Sequence, residues 1–290
     1  MKKAFLILLA GLLIVLGGCT PENNAQVVAT TRPIYDFTNY ICQNTDLSVK
    51  LLVTEEVSCL HDYSLQIWQM RALENAEMTI INGAGLEDFL LDVIPTSTNL
   101  VDCSAGIALI CPEEHHEHDH DGHHHENDPH YWLDTSCAKI MAQNICNALI
   151  AQYPQWKDAF NTNLQLLNAE LDALYAYGQE SLSQISSRNL ITFHDGFSYF
   201  AHCFDLNILA AVEEESGAEA SAAELIELIE MINSYKLPAI FTEVSGSTSA
   251  AQIIAAETDV NIYTLDMGMS GKNYFETMYH NINTIKEALK

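Results

Sequence analysis

Along the chain, short runs of β-branched and aliphatic residues alternate with longer stretches in which apolar side chains recur every three or four positions. That alternation is the mark of β-α units assembling parallel sheets. Strand-like runs fall at residues 27–30, 49–53, 78–81 and 100–102 in the first half, and at 190–193, 207–212, 239–242 and 261–265 in the second. Four runs on each side predict an α/β fold of two lobes, each with a mainly parallel four-stranded sheet. Between them, proline is absent after Pro154, and Trp156, Phe160, Leu164, Leu167, Leu171, Leu174, Leu182 and Ile185 recur at steps of three, four or eight. The spacing predicts one rigid helix of about eight turns over 155–187, a strut in place of a flexible linker. The predicted organisation is an N-terminal lobe over 26–154, the interlobe helix, and a C-terminal lobe over 188–290. Ser221-Ala222-Ala223-Glu224 reads as a capping box that opens a further helix.

The first residues follow a different pattern. Met1-Lys2-Lys3 is a short positive start, and residues 4–17 (AFLILLAGLLIVLG) are apolar or glycine, the layout of a secretory signal. The run is too short for a comfortable membrane-spanning helix. It ends in Leu16-Gly17-Gly18-Cys19, which resembles the lipobox of bacterial lipoproteins. The expectation is a signal peptide over 1–18, lipidation at Cys19 and a tether over 19–25. The mature chain would then be anchored to the outer face of a bacterial cell membrane. The alternative is a cysteine that merely follows a signal peptide.

Composition narrows the partners. Of 290 residues, 39 are acidic and 12 basic, for a net charge of −27. Such a surface is unsuited to phosphate backbones, so nucleic acid is excluded as a partner and cations become the natural ligands. With 48% hydrophobic residues the chain can bury a core and is not a disordered acidic tail. Seven cysteines follow Cys19, namely Cys42, Cys59, Cys103, Cys111, Cys137, Cys146 and Cys203, with no C-x-x-C among them. The expectation is core thiols or disulfides, of undetermined pairing, and not a thiolate zinc site.

The chemistry is concentrated in histidine. Residues 113–127 hold His115, His116, His118, His120, His123, His124 and His125 among acidic residues, with His130 just beyond. A tract with no apolar periodicity cannot pack a core, so it reads as a solvated loop. Imidazole and carboxylate together bind divalent transition metals, here as an auxiliary low-affinity site with many near-equal ligand sets. His118-Asp119-His120-Asp121 mimics a metallohydrolase motif but follows no strand. Of the remaining histidines, His202 and His280 sit on helix-like stretches and read as hydrogen-bonded structural residues. His61 and His194 each follow shortly after a strand, and ligands in open α/β sheets collect beyond the carboxyl ends of strands.

Several motifs then appear in order: His61-Asp62-Tyr63-Ser64-Leu65, Asn82-Gly83-Ala84-Gly85-Leu86-Glu87, the histidine tract, Asp128-Pro129-His130-Tyr131-Trp132-Leu133-Asp134, Phe193-His194-Asp195-Gly196-Phe197 and Leu265-Asp266-Met267-Gly268. With Cys19 they resemble the zinc and manganese solute-binding lipoproteins of bacterial ABC importers, over nearly the whole chain from Val27. The resemblance implies two α/β lobes joined by one long rigid helix, with a single metal held in the cleft by His61, His130, His194 and Asp266. It also implies capture of the metal and delivery to an ABC permease with its ATPase, with small shifts of one lobe instead of a wide hinge closure.

Three imidazoles and one carboxylate suit Zn(II) better than a hard, oxygen-rich Mn(II) site, and by resemblance the histidine tract marks zinc members. Asp266 is alternatively a helix cap, with Glu243 or water as the other candidates for the fourth ligand. Asp62 or Asp195 are candidates for fixing a histidine tautomer. The chain departs from the family pattern where Cys59-Leu60 precede His61 and Ser64 follows Tyr63, which leaves the approach of that loop open. No catalytic residues are expected: the nucleophile elbow is missing, and H-E-x-x-H is spelled only at 116–120, inside the histidine tract, where no apolar period places it on a helix. A monomer is expected. The competing readings are a surface metal buffer or adhesin built on the histidine tract, and a manganese-specific relative.

Overall fold

The computed structural model describes residues 25–56, 60, 63–96, 98–111, 127–213 and 220–290. The leader with Cys19, the stretch with Cys59, His61 and Asp62, and the tract from His115 to His125 lie outside the described residues.

The N-terminal lobe contains β1 (Val27–Ala29), α1 (Arg32–Ile41), β2 (Val49–Leu51), α2 (Ile67–Asn75), β3 (Met78–Ile81), α3 (Asp88–Leu91) and β4 (Asn99–Asp102). After a 3-10 turn at Tyr131–Leu133 come α4 (Thr135–Gln152) and α5 (Lys157–Ser181). The C-terminal lobe runs β5 (Asn189–His194), α6 (Ser198–Phe204), β6 (Asn207–Glu213), α7 (Ala222–Tyr235), β7 (Ala239–Glu243), α8 (Ser249–Thr258), β8 (Asn261–Leu265) and α9 (Tyr274–Ala288). The sheets are β2-β1-β3-β4 and β6-β5-β7-β8, and every pairing is parallel. The two lobes thus repeat one strand order, and the eight expected strands form with ends within about two residues of the pattern.

Alternation along the strands sorts side chains into three cores. Val27, Ala29, Met78 and Ile80 of the first sheet share one continuous core with Leu190, Ala239 and Phe241 of the second. Between them lie Phe160, Leu164, Leu167, Leu171 and Leu174 of α5. The opposite faces carry smaller cores: Val28 and Leu52 against Leu73 and Leu90, and Ile191, Phe193 and Ile240 against Leu228, Ile232 and Ile254.

The strut is shorter than its apolar stripe. α5 spans 25 residues, about seven turns, and Pro154–Trp156 form a separate 3-10 turn ahead of it. Leu182 is buried in the central core but caps the helix instead of extending it. Just beyond, Ser186 donates from its backbone N–H (2.6 Å) and its hydroxyl (2.9 Å) to the Leu289 carbonyl. Ile185 packs on the same core outside any helix, so periodicity outlasts the helix because burial alone sustains it. The capping box forms, with the Glu224 N–H donating to Ser221 Oγ (3.3 Å) and the Ser221 N–H to Glu224 Oε2 (2.6 Å).

The six described cysteines are free thiols. Burial pushes Cys42 up to about 12, and Cys137, Cys146 and Cys203 up to about 11. These side chains behave as small hydrophobes and not as thiolate ligands.

Gly178 makes α5 sensitive to its neighbour, because a Cβ there would lie 2.2 Å from the Phe204 ring. That ring is buried and held between Phe200 and Tyr175. Alanine in a helix is ordinarily worth up to about 1 kcal/mol over glycine. Overpacking costs about 1–3 kcal/mol and prevails here. Gly178→Ala should therefore lower stability by about 1–2 kcal/mol in urea unfolding.

A second prediction concerns pH. Glu87 is buried and accepts from the Thr30 hydroxyl and from the backbone N–H groups of Asn82 (2.8 Å) and Gly83 (2.9 Å). Burial, opposed by these hydrogen bonds, pushes its carboxyl from the usual 4.5 up to about 7. The folded chain therefore binds the proton more tightly than the unfolded chain does. The resulting stability is full below about pH 4.5 and is lost as pH rises through about 7. Glu87→Gln should flatten that fall, with the wild type losing up to about 1–3 kcal/mol relative to the variant between pH 5 and 7.5.

Candidate metal site

The segment from Asp128 to Asp134 lies between the lobes and is tied to both. On the first-lobe side, Tyr131 donates its hydroxyl to the Asn82 carbonyl (2.6 Å), and Asn82 Nδ2 donates to the Pro129 carbonyl (3.1 Å). On the second-lobe side, Trp132 Nε1 donates to the Met267 carbonyl (2.8 Å). Tyr199 and Tyr274 donate their hydroxyls to the carbonyls of Asp128 (3.1 Å) and Trp132 (2.9 Å). Asp134 caps α4 by accepting the Ser136 N–H at 2.7 Å. Backbone groups buried in this way must find partners, and here the partners come from both halves of the molecule.

His130 is held inside this segment. Asp128 Oδ1 accepts its backbone N–H (2.9 Å) and sits 2.8 Å from its ring Nδ1. His194 ends β5, the inner strand of the second sheet, and Glu243 ends the neighbouring β7. Their register places Glu243 Oε2 3.6 Å from His194 Nδ1. Both histidines are buried, at 6% and 8% exposure, and their rings meet edge to face with centroids 5.4 Å apart. A carboxylate at Nδ1 makes Nε2 the nitrogen that a neutral imidazole offers to a metal.

Gly196 sits where the two rings converge. A Cβ on it would lie 2.8 Å from His194 Cδ2, 3.0 Å from His130 Nδ1 and 2.4 Å from Met267 Cε. Only the bare backbone lets the turn after β5 approach that closely.

Asp266 follows β8 and is buried, at 1% exposure. Its Oδ1 accepts the Gly268 N–H (2.8 Å), and its Oδ2 accepts the Ser270 hydroxyl (2.6 Å) and lies 3.8 Å from Lys272 Nζ. Asn281 holds its backbone N–H and carbonyl. The cap of α9 is Asn273, so Asp266 braces its own loop and does not cap a helix. Among the described residues, no group of three His, Cys, Asp or Glu side chains stands close enough to hold an ion. The structure thus brings His130 and His194 together, leaves Asp266 engaged with its own loop, and does not describe His61.

The shoulders of the His61 stretch are described. Tyr63 donates its hydroxyl to Glu55 Oε2 (2.5 Å), and Gln69 Nε2 donates to the Tyr63 oxygen (2.6 Å) and the Leu52 carbonyl (2.7 Å). Leu60 is buried in the central core. His202 and His280 are hydrogen-bonded, to Asp134 Oδ2 (3.0 Å) and the Thr264 carbonyl (3.2 Å), as structural residues are.

The contacts to the ring Nδ1 atoms come from Asp128 and Glu243, neither of which sequence reasoning assigned to that task. Asp128 carries a local signal, since Asp-Pro-His lets a carboxylate fold back two residues onto the imidazole. Glu243 carries none, because the contact depends on strand pairing. Nitrogen donors backed by carboxylates are the chemistry of a borderline-soft divalent ion such as zinc, and His130 and His194 supply two such donors.

The comparisons with known proteins point the same way. A family model described as ZnuA, zinc-uptake complex component A, periplasmic, matches residues 27–288. The zinc-binding lipoprotein AdcA of Streptococcus pneumoniae is 29% identical over 308 residues, covering 99% of this chain and 61% of that protein. The chain therefore spans about three fifths of that relative's length. A putative metal-binding protein of Treponema pallidum is 29% identical over 240 residues, covering 79% of this chain and 76% of its own. A crystal structure of ZnuA superposes with a TM-score of 0.81 at 27% identity, over 92% of this chain and all of the other. With the match running through both lobes and the strut between them, the chain belongs to the ZnuA family, the periplasmic A components of zinc-uptake complexes, a family of binding components and not of enzymes.

Proposed function

We propose that the chain is an extracytoplasmic binding protein that captures Zn(II) in the cleft between lobes 26–154 and 188–290 and delivers it to an ABC permease. The observation that carries this reading is the pair of buried imidazoles, His130 from the interlobe segment and His194 from the second sheet, each with a carboxylate at its Nδ1. His61 would close the site from the first lobe, and Asp266 would supply one oxygen and part of the neutralising charge. Zinc is the proposed cargo because imidazole-rich sites favour it over manganese, and the name of the pneumococcal relative supports zinc.

The histidine tract at His115, His116, His118, His120, His123, His124 and His125 would act as a low-affinity collector, which its sequence position just before His130 supports. Lipidation at Cys19 would keep the protein at the membrane surface beside the permease. No helix among the described residues is long and apolar enough to cross a membrane, which suits a lipid tether as the means of attachment. The protein would work as a monomer, with the permease and its ATPase supplying the moving parts.

The deciding experiment is a zinc titration of the chain from residue 20 onward, as wild type, as His61→Ala with His194→Ala, and with residues 113–126 removed. One tight zinc should survive the loop deletion and disappear in the double variant. Tight binding that follows the tract and ignores the double variant would instead make this a surface metal buffer.

Replacing the carboxylates behind the rings should weaken zinc without abolishing it. Asp128→Asn and Glu243→Gln are each expected to cost about 10- to 100-fold in affinity. Competition with a chelating dye would read this, with circular dichroism confirming that the fold persists.

A further inference from the structure

We propose that Lys272 is a displaceable counter-ion for Asp266, closing the loop of residues 267–272 over that carboxylate until a divalent cation takes its place. The inference rests on the assignment of Asp266 as a ligand made above and adds how that ligand is released and recaptured.

A buried carboxylate is costly unless its charge is met. The Asp266 side chain is 2% exposed, and Lys272, itself 46% exposed, is the one side-chain cation within ion-pair range of it among the described residues. The two carboxylate oxygens are held differently. Oδ1 accepts a backbone N–H from Gly268, whereas Oδ2 is held by two side chains, the Ser270 hydroxyl and the Lys272 ammonium at 3.8 Å. Side chains can swing away while the backbone contact keeps the carboxylate aimed. Oδ2 is therefore the oxygen a metal would take, and Ser270 and Lys272 are the groups that must yield.

The exchange is favourable for a metal. Zinc brings two charges to about 2 Å from a carboxylate oxygen, against one charge at 3.8 Å for the ammonium. The exchange is also reversible. When the metal leaves, Lys272 returns and the buried carboxylate is not stranded. Lysine at this position thus lowers affinity and quickens release, which serves a protein that must hand its cargo on.

The loop also touches the other lobe. Arg32 Nη1 donates to the Gly271 carbonyl (3.2 Å), Asp36 Oδ2 accepts the Tyr274 N–H (2.8 Å), and a Cβ on Gly271 would lie 3.4 Å from Glu56 Oε1. At the loop's other end the Met267 carbonyl accepts the Trp132 indole N–H. A loop that shifts on loading therefore shifts contacts between lobes, and Trp132 is placed to report the shift.

The test is zinc dissociation into excess chelator, by stopped flow, for the chain from residue 20 onward. The variants are Lys272→Met, Lys272→Arg, Asp266→Asn, and Lys272→Met combined with Asp266→Asn. Lys272→Met should slow release about three- to fivefold, the size expected of a half-exposed charge, and lessen its dependence on salt. Lys272→Arg should keep the wild-type rate, and the effect of Lys272→Met should vanish in the Asp266→Asn background. Zinc-induced change in tryptophan emission should persist in Lys272→Arg and shrink in Lys272→Met. If Asp266→Asn weakens zinc but Lys272→Met leaves release unchanged, or slows it equally without Asp266, the counter-ion role is overturned while the site stands. If Asp266→Asn leaves zinc binding untouched, the ligand assignment fails and the counter-ion role with it.

Discussion

The arrangement of this protein depends on the burial of one short segment, Asp128 to Asp134, between two lobes that must each satisfy part of its backbone. Its carbonyls accept from Asn82 on one side and from Tyr199 and Tyr274 on the other, while its Tyr131 hydroxyl and Trp132 indole donate to Asn82 and Met267. Separating the lobes would break these bonds in a place that excludes water, leaving polar groups unpaired at a cost of about 1–3 kcal/mol each. It would also part a hydrophobic core to which both sheets and the 25-residue strut contribute. A wide hinge is disfavoured by that geometry, and small displacements of loops and side chains are the motions it leaves available.

Within this frame the two buried histidines, His130 and His194, are each given a carboxylate by unlike means. His130 takes its carboxylate from two residues away, through a turn that Pro129 rigidifies. His194 takes its carboxylate from an adjacent strand, where parallel pairing of β5 with β7 brings Glu243 alongside. Gly196 then lets the chain turn between the rings without a side chain to push them apart. His194 thus stands at the carboxyl end of an inner strand, which is where open α/β sheets hold ligands.

The large acidic excess is partly internal. Glu87, Asp128, Asp134, Glu243 and Asp266 are all buried, and each is engaged by backbone donors, side-chain donors or an imidazole. They brace loops, a helix start and a histidine ring, so a reading of the net charge as mere solubility misses them. Glu87 shows the cost of such placement, since burial drives its carboxyl up to about 7 against three hydrogen bonds.

The fold was legible because it rests on local periodicity. The eight strands, the strut and the Ser221 capping box follow from apolar spacing and from residues three apart, and these signals lie within a few turns of chain. The strut's C-terminal end was misplaced because burial of Leu182 and Ile185 in the central core mimics helical spacing. The placement of His194 at a strand end was legible too, as was the hydrogen-bonded character of His202 and His280.

What only the tertiary structure decided was which groups meet. The contact of His130 with His194 joins residues 64 positions apart in sequence, and the contact of Glu243 with His194 depends on which strands are neighbours. The grip of Ser270 and Lys272 on Asp266 depends on the path of a loop. A sequence specifies the chemistry of each side chain and the period of each element. Convergence depends on how whole elements pack, and no single stretch of the chain carries that information.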